Sequence, residues 1–210
     1  MHDPFDAKAR SWDEPEKADR ARRVADLIAA RVPMLAAARV LEVGAGTGLL
    51  GFALRDRVRH VTLVDGSAEM VAVAGEKVRA QAPCNVDVVR LDLEREPLPP
   101  TRYDVVCALL VLHHVADTDA LLEKLHRALE PGGYLCVSDL DVEDGSFHGA
   151  GFGGHEGFDR GELGAKLARA GFDEIRFEEA FEVEKPVAGG GTKSFPAFLA
   201  IARKAQGPRP

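Results

Sequence analysis

The stretch VLEVGAGTGLLGFAL, Val40 to Leu54, constrains this chain more than any other. ARVLEVG is a β-branched, apolar run that ends in glycine, and TGLLGFALRDR after it has helical spacing. Three alternate glycines, Gly44, Gly46 and Gly48, join the two. A strand that turns sharply into a helix while a ligand approaches its backbone needs residues without Cβ. A turn that serves only the fold rarely needs three of them at that spacing. The loop therefore reads as the cradle of a nucleotide-like ligand.

Two glycine frames overlap here. GTGLLG, Gly46 to Gly51, satisfies G-x-G-x-x-G, the dinucleotide pattern, and makes an NAD(P)-dependent oxidoreductase the competing reading. In such a site the first glycine ends the strand directly. The strand here ends at Val43, and a frame starting at Gly44 would need glycine where Leu49 stands. Asp65, at the tip of the second strand, suits a ribose diol in either frame. Glu42 separates them, because a carboxylate at the strand end repels a pyrophosphate and favours a cationic ligand. S-adenosylmethionine, with an ammonium, a sulfonium and no phosphate, is such a ligand. Gly51 then reads as a close-packing position in the helix.

Strand and helix signals alternate along the rest of the chain. HVTLVDG, NVDVVRLD, YDVVCALLVL and YLCVSDLD are near-continuous apolar strands. Between them SAEMVAVAGEKVRAQ reads as a helix capped by Ser67, and DTDALLEKLHRALEPGG as one with Asp117 or Thr118 near its cap and a Pro-Gly-Gly stop. Such alternation implies an α/β fold, a doubly wound and mostly parallel sheet covered on both faces. The ending differs: DEIRFEEAFEVEK and SFPAFLAIARK, joined by PVAGGGTK, predict an antiparallel C-terminal β-hairpin. The expected divisions are an N-terminal helical lid (1–36), a ligand-binding domain (37–205) and a disordered tail (206–210). Within the domain, residues 142–158 form a glycine-rich loop on the acceptor side.

The net charge of -7 provides no basic field for a polyanion, so a nucleic-acid partner is not expected. No run of about 18 apolar residues is present, so no membrane partner is expected either. The start of the chain has no apolar h-region, and three widely spaced cysteines without C-x-x-C suit a reducing compartment. A cytoplasmic location is the expectation. The oligomeric state is not legible.

VLEVGAGTG, LVDGSAEMV, RLDLEREPLP, YDVVCALLVLHHV and LEPGGYLCVSDLD, in this order and spacing, resemble the successive motifs of class I S-adenosylmethionine-dependent methyltransferases. FDAKARSWDEPEKADRARRVADLI is similar to the lid helices of members that act on small molecules. The resemblance implies a Rossmann-like, seven-stranded methyltransferase fold. It also implies methyl transfer from S-adenosylmethionine, with S-adenosylhomocysteine as product, to a small-molecule acceptor by in-line displacement. Gly44, Gly46 and Gly48 would surround the methionine moiety and Glu42 would lie near its ammonium. Asp65, followed by Gly66, would hold the ribose. Met70 would pack by the adenine, although helix-core packing explains it equally well. Asp92, with the Leu93 backbone beside it, would accept from the adenine N6, or else only cap the turn after strand three. Leu109 would face the methionine and the reacting methyl. A cofactor-binding module without turnover, or a protein methyltransferase, would carry the same pocket.

On the acceptor side, His113 and His114 follow strand four, as base or hydrogen-bond partner, or as an anchor of the next helix. His148 and His155 would line the acceptor pocket if their loop closes; otherwise they are exposed loop histidines. Phe5 and Trp12 would form the lid over the cofactor or anchor the first helix. No metal is expected: Asp139, Asp141, Glu143 and Asp144 cluster after strand five, but no matching acid follows strand four. The Asn/Asp-Pro-Pro-aromatic motif of base amino-methyltransferases is missing after strand four. Pro83-Cys84 precedes strand three, so it is not the Pro-Cys of cytosine C5 enzymes.

Overall fold

A computed structural model describes residues 5–82, 84–149, 151–186 and 190–206. Of the tail expected at 206–210, residues 207–210 lie outside that set. The strands are β1 (Arg39–Val43), β2 (His60–Asp65), β3 (Val86–Arg90), β4 (Tyr103–Leu109), β5 (Leu129–Leu140), β6 (Phe172–Pro186) and β7 (Thr192–Lys204). They form a seven-stranded sheet in the order β3-β2-β1-β4-β5-β7-β6. The first five pair in parallel, whereas β7 runs antiparallel between β5 and β6. The expected doubly wound sheet with a terminal hairpin is the observed one.

The helices are α1 (Pro15–Arg31), α2 (Leu49–Leu54), α3 (Ala68–Gln81), α4 (Thr118–Ala128) and α5 (Arg160–Arg169). Pro15 opens α1 with φ already set for a helix and no N–H to orphan. The helix then buries Ala21, Val24, Ala25 and Ile28, one stripe at 3.6-residue spacing. Together with Leu50 and Leu54 of α2 and Ala74 of α3, these residues form the core on one face of the sheet. Leu121, Leu122 and Leu125 of α4 and Leu163 and Leu167 of α5 form the core on the other. Each such leucine, removed from water, stabilises the fold by roughly 1.5–3 kcal/mol.

Both expected caps are present: Ser67 Oγ accepts from the Met70 N–H, and Asp117 from the Ala120 N–H at 2.9 Å. Two expectations are corrected. Pro131-Gly132-Gly133 does not stop a helix; α4 ends at Ala128 and the tripeptide lies inside β5. A Cβ at Gly133 would sit 2.9 Å from the Asp104 carbonyl oxygen, so the glycine lets β4 and β5 close up at an irregularity in their register. The helix after the glycine turn is also shorter than its pattern, because α2 tightens into a 3-10 turn at Arg55–Arg57.

Candidate active site

The residues singled out by sequence converge on the carboxyl edge of the parallel strands. β1 lies between β2 and β4, so the chain winds outward in both directions from this point and opens a crevice at the strand ends. The glycine turn occupies that crevice. Gly44, Gly46 and Gly48 have φ of +60, +55 and +84, a conformation that L side chains rarely adopt. At two of them room is short as well: a Cβ on Gly44 would meet Val111 Cγ2 at 2.6 Å, and one on Gly48 would meet Leu63 Cδ1 at 2.7 Å. At Gly46 a Cβ would fill the gap between Met70 Sδ and Trp12 Nε1, 3.7 Å from each. This cradle suits a ligand that lies against the backbone.

Asp65 faces the turn from the tip of β2. One carboxylate oxygen accepts the Gly46 N–H at 2.7 Å and the other the Ser67 N–H at 2.8 Å. It thereby fixes the turn to the start of α3. Glu42 is placed differently from what its position in sequence suggests. Its side chain is buried at 3% exposure and accepts the Gly51 N–H at 2.7 Å, tying β1 to α2. Burial, with the Asp65 charge adding to it, pushes its carboxyl up to about 8 despite that hydrogen bond. Glu42 is thus mostly a neutral acid at pH 7. Gly51 is the close-packing position: a Cβ there would lie 2.3 Å from Leu63 Cδ2 and 2.6 Å from Glu42 Oε2.

The N-terminal segment lies across this turn. Asp6, in a 3-10 helix spanning Asp6–Ser11, accepts from Ser67 Oγ at 2.6 Å. Asp13 accepts from Thr47 Oγ1 at 2.5 Å and pairs with Lys77, whose ammonium also reaches the Thr47 carbonyl at 2.9 Å. Trp12 sits over Gly46 with Lys17 stacked 4.0 Å above its ring. Phe5 meets Trp12 edge-on at 5.9 Å and His114 at 5.1 Å, joining the lid to the histidines after β4. Asp13 and Lys77 carried no sequence signal, because their pairing spans two elements.

On the β3 side, Met70 is buried beneath Gly46 and Trp12. Asp92 caps a turn through the Glu94 and Arg95 N–H groups at 3.0 and 3.2 Å. Gly66 lies beside it, with its Cβ direction 3.8 Å from Asp92 Cα. The Leu93 carbonyl accepts from Lys124. Leu109 ends β4 half-buried, opposite Ser138 of β5. Leu110 after it has φ +56, a left-handed conformation uncommon for leucine, held by its N–H to the Ser138 carbonyl at 2.8 Å.

The end of β4 is built around histidine. His113 Nδ1–H donates to Asp139 Oδ1 at 2.6 Å, and both residues are buried, at 1% and 0% exposure. Asp139 also accepts the His113 and Leu140 N–H groups, so its position is over-determined. His114 lies 4.1 Å from His113, ring to ring, and 5.2 Å from His148. His148 stacks on Phe152 at 3.8 Å. Burial, then the neighbouring His113 and His148, push the His114 imidazolium down to about 3. Burial, then His113 and Lys185, push His148 down to about 4. Both rings are neutral at ordinary pH. The remaining histidine, His155, has another place: its N–H reaches the His113 carbonyl at 2.8 Å, and its ring bonds the Val115 carbonyl at 3.0 Å. It docks the 142–158 loop on the end of β4.

The acids after strand five are all engaged. Asp141 forms a bidentate pair with Arg160 at 2.6 and 2.7 Å, Asp144 pairs with Lys193, and Glu143 accepts the Phe147 N–H. Asp139 was legible only as part of that cluster; its role as the partner of His113 depends on a contact through space.

A methyltransferase-domain family matches residues 40–133. The chain is 36% identical over 119 residues to the ubiquinone biosynthesis O-methyltransferase of Xylella fastidiosa (strain 9a5c), covering 55% of this chain and 47% of that protein. It is 34% identical over 122 residues to the malonyl-acyl-carrier-protein O-methyltransferase of Enterobacter lignolyticus (strain SCF1), covering 58% and 47%. The chain thus spans about half the length of these curated relatives. A SAM dependent methyltransferase from Aquifex aeolicus shares the fold at a TM-score of 0.69 and 24% identity, over 94% of this chain and 97% of that one. Motif order, glycine-turn geometry, sheet order and these likenesses agree: residues 40–133 match a methyltransferase domain, and the sheet has the fold shared by S-adenosylmethionine-dependent methyltransferases.

Proposed function

We propose that this chain transfers a methyl group from S-adenosylmethionine to a hydroxyl of a small-molecule acceptor held under the loop of residues 142–158. The observation that carries this reading is the His113–Asp139 pair, buried next to the glycine turn at the end of β4. When bound, the cofactor would supply an electrophilic methyl on a sulfonium, with S-adenosylhomocysteine as the leaving group. The residues of the chain bind, orient and deprotonate. Gly44, Gly46 and Gly48 give the methionine moiety access to the backbone, Glu42 answers its ammonium, and Asp65 holds the ribose diol. Met70, Gly66, Asp92 and Leu93 line the adenine side, and Leu109 the reacting end.

A hydroxyl must lose its proton as the new bond forms. Asp139 holds the Nδ1–H of His113 and leaves Nε2 to accept that proton, with the charge of Asp139 stabilising the imidazolium. His114, His148, Phe5 and Phe152 flank the acceptor, and Trp12 with residues 5–36 covers the cofactor. The oxygen acceptor is favoured by the O-methyltransferase relatives. The net charge of -7 disfavours a nucleic acid. Three free cysteines fit a cytoplasmic setting. Among the described residues no helix is long and apolar enough to cross a membrane.

Calorimetry with S-adenosylhomocysteine and with NADH tests the pocket, and a metabolite pool incubated with methyl-labelled cofactor tests the transfer. Binding of S-adenosylhomocysteine with label appearing in a small hydroxylated compound is expected. Binding of NADH alone, or label entering only protein, would overturn the reading.

A further inference from the structure

We infer that His113, His114 and His148 form a binding site for a divalent transition metal, with zinc as the type ligand. The inference concerns the same cluster as the proposed acceptor site and deepens that reading, but it rests on the geometry of the three rings alone. One donor atom from each lies within 4.8 Å of the other two. Tetrahedral zinc–imidazole bonds of about 2.0–2.1 Å place the nitrogens ~3.4 Å apart, so modest ring rotations close the set. The ring nitrogens of His114 and His148 make no hydrogen bond among the described residues, and both residues are exposed at their outer edges. Their ring nitrogens are therefore available without breaking a contact.

The fourth residue decides the chemistry. Asp139 takes the Nδ1–H of His113 at 2.6 Å, which fixes the tautomer and leaves Nε2 as the ligand atom. A carboxylate behind a ligating histidine orients the ring and raises its basicity. An all-nitrogen set selects zinc, copper or nickel over magnesium or calcium, which require oxygen. The ligands come from two segments, His113 and His114 after β4 and His148 in the glycine-rich loop. A metal would therefore clip that loop to the sheet. Three protein ligands leave one position open, toward the space assigned to the acceptor. Lys8 and Lys185 stand near enough to oppose added positive charge, and the buried Asp139 offsets them. Nε2 of His113 serves either as proton acceptor or as ligand, so the loaded and unloaded forms would activate a hydroxyl by different means.

The test uses the full untagged chain, stripped with a chelator and without cofactor or acceptor. Calorimetric titration with zinc chloride is expected to show one ion per chain, and cobalt(II) should give the intense visible bands of a tetrahedral site. His148→Ala and His114→Ala, on exposed positions, should each weaken zinc by more than about tenfold, and Asp139→Asn by about 10–100-fold. Zinc binding equally tight in His148→Ala, or cobalt(II) giving only the weak bands of an octahedral aquo ion, would overturn the inference. Because the readout is metal binding, a chain that binds zinc and transfers no methyl refutes only the proposed function. A chain that transfers methyl and binds no zinc refutes only the metal site.

Discussion

Glu42 and Asp65 show how two acids near one turn acquire different tasks. Asp65 is held by two backbone N–H groups at the surface of the crevice, whereas Glu42 is enclosed with one. The folded chain binds a proton at Glu42 up to about pH 8 that the unfolded chain has released above its ordinary 4.5. Its contribution to stability therefore falls as pH rises through that window. Glu42→Gln keeps an acceptor for the Gly51 N–H and removes the buried charge. It should raise stability at pH 8 by about 2 kcal/mol, read from denaturant midpoints, while weakening S-adenosylhomocysteine binding. Asp65→Ala should leave the sheet intact and cost about 1–3 kcal/mol in S-adenosylhomocysteine affinity, because both the diol partner and the tie to Gly46 are lost. Unchanged calorimetric affinity would remove Asp65 from the cofactor site. The glycine turn was legible because positive φ and a missing Cβ leave a signature in the residue type itself. The orientation of Glu42, and the pairing of His113 with Asp139, leave none.

At the scale of elements, the loop of residues 142–158 is crowded against the end of β4 at Gly154. A Cβ on Gly154 would lie 2.1 Å from the His113 carbonyl oxygen, backbone that cannot step aside. Gly154→Ala should therefore lift the loop while leaving both cores untouched. The expected outcome is an unchanged melting temperature with faster proteolytic nicking between residues 145 and 158. A loop that stays protected would show that His155 alone holds it. The repeating elements were readable from period and punctuation: the strand tips, Ser67 and Asp117 all stand where their patterns put them. Pro131-Gly132-Gly133 was misread because a helix stop and a strand irregularity use the same residues. Only the neighbouring carbonyl of Asp104 distinguishes them. The contacts of the lid were illegible for a similar reason, since Asp13, Thr47 and Lys77 meet from three separate segments.

For the whole molecule, the titrating groups of the site pull stability in opposite directions. The unfolded chain protonates His114 and His148 as pH falls through 6.5, while the folded chain resists until about 3 and about 4. Stability is thus lost below 6.5, where the two histidines outweigh Glu42, and from 6.5 up to about 8 through Glu42. Melting temperature should peak between about pH 6 and 7, with Glu42→Gln flattening the alkaline limb and His148→Gln the acid one. A profile unmoved by either variant would contradict both environments. Architecture sets a further condition, on the order of events during synthesis. β7 is the last strand made, yet it lies between β5 and β6. Until it leaves the ribosome, β5 keeps an open edge and β6 has no neighbour in the sheet. Ser138 likewise lacks the Phe198 carbonyl to which its hydroxyl donates at 2.8 Å. β5 is also the strand that carries Asp139. The nascent chain can therefore assemble its glycine turn early, but its histidine cluster gains a settled floor only once β7 has been made.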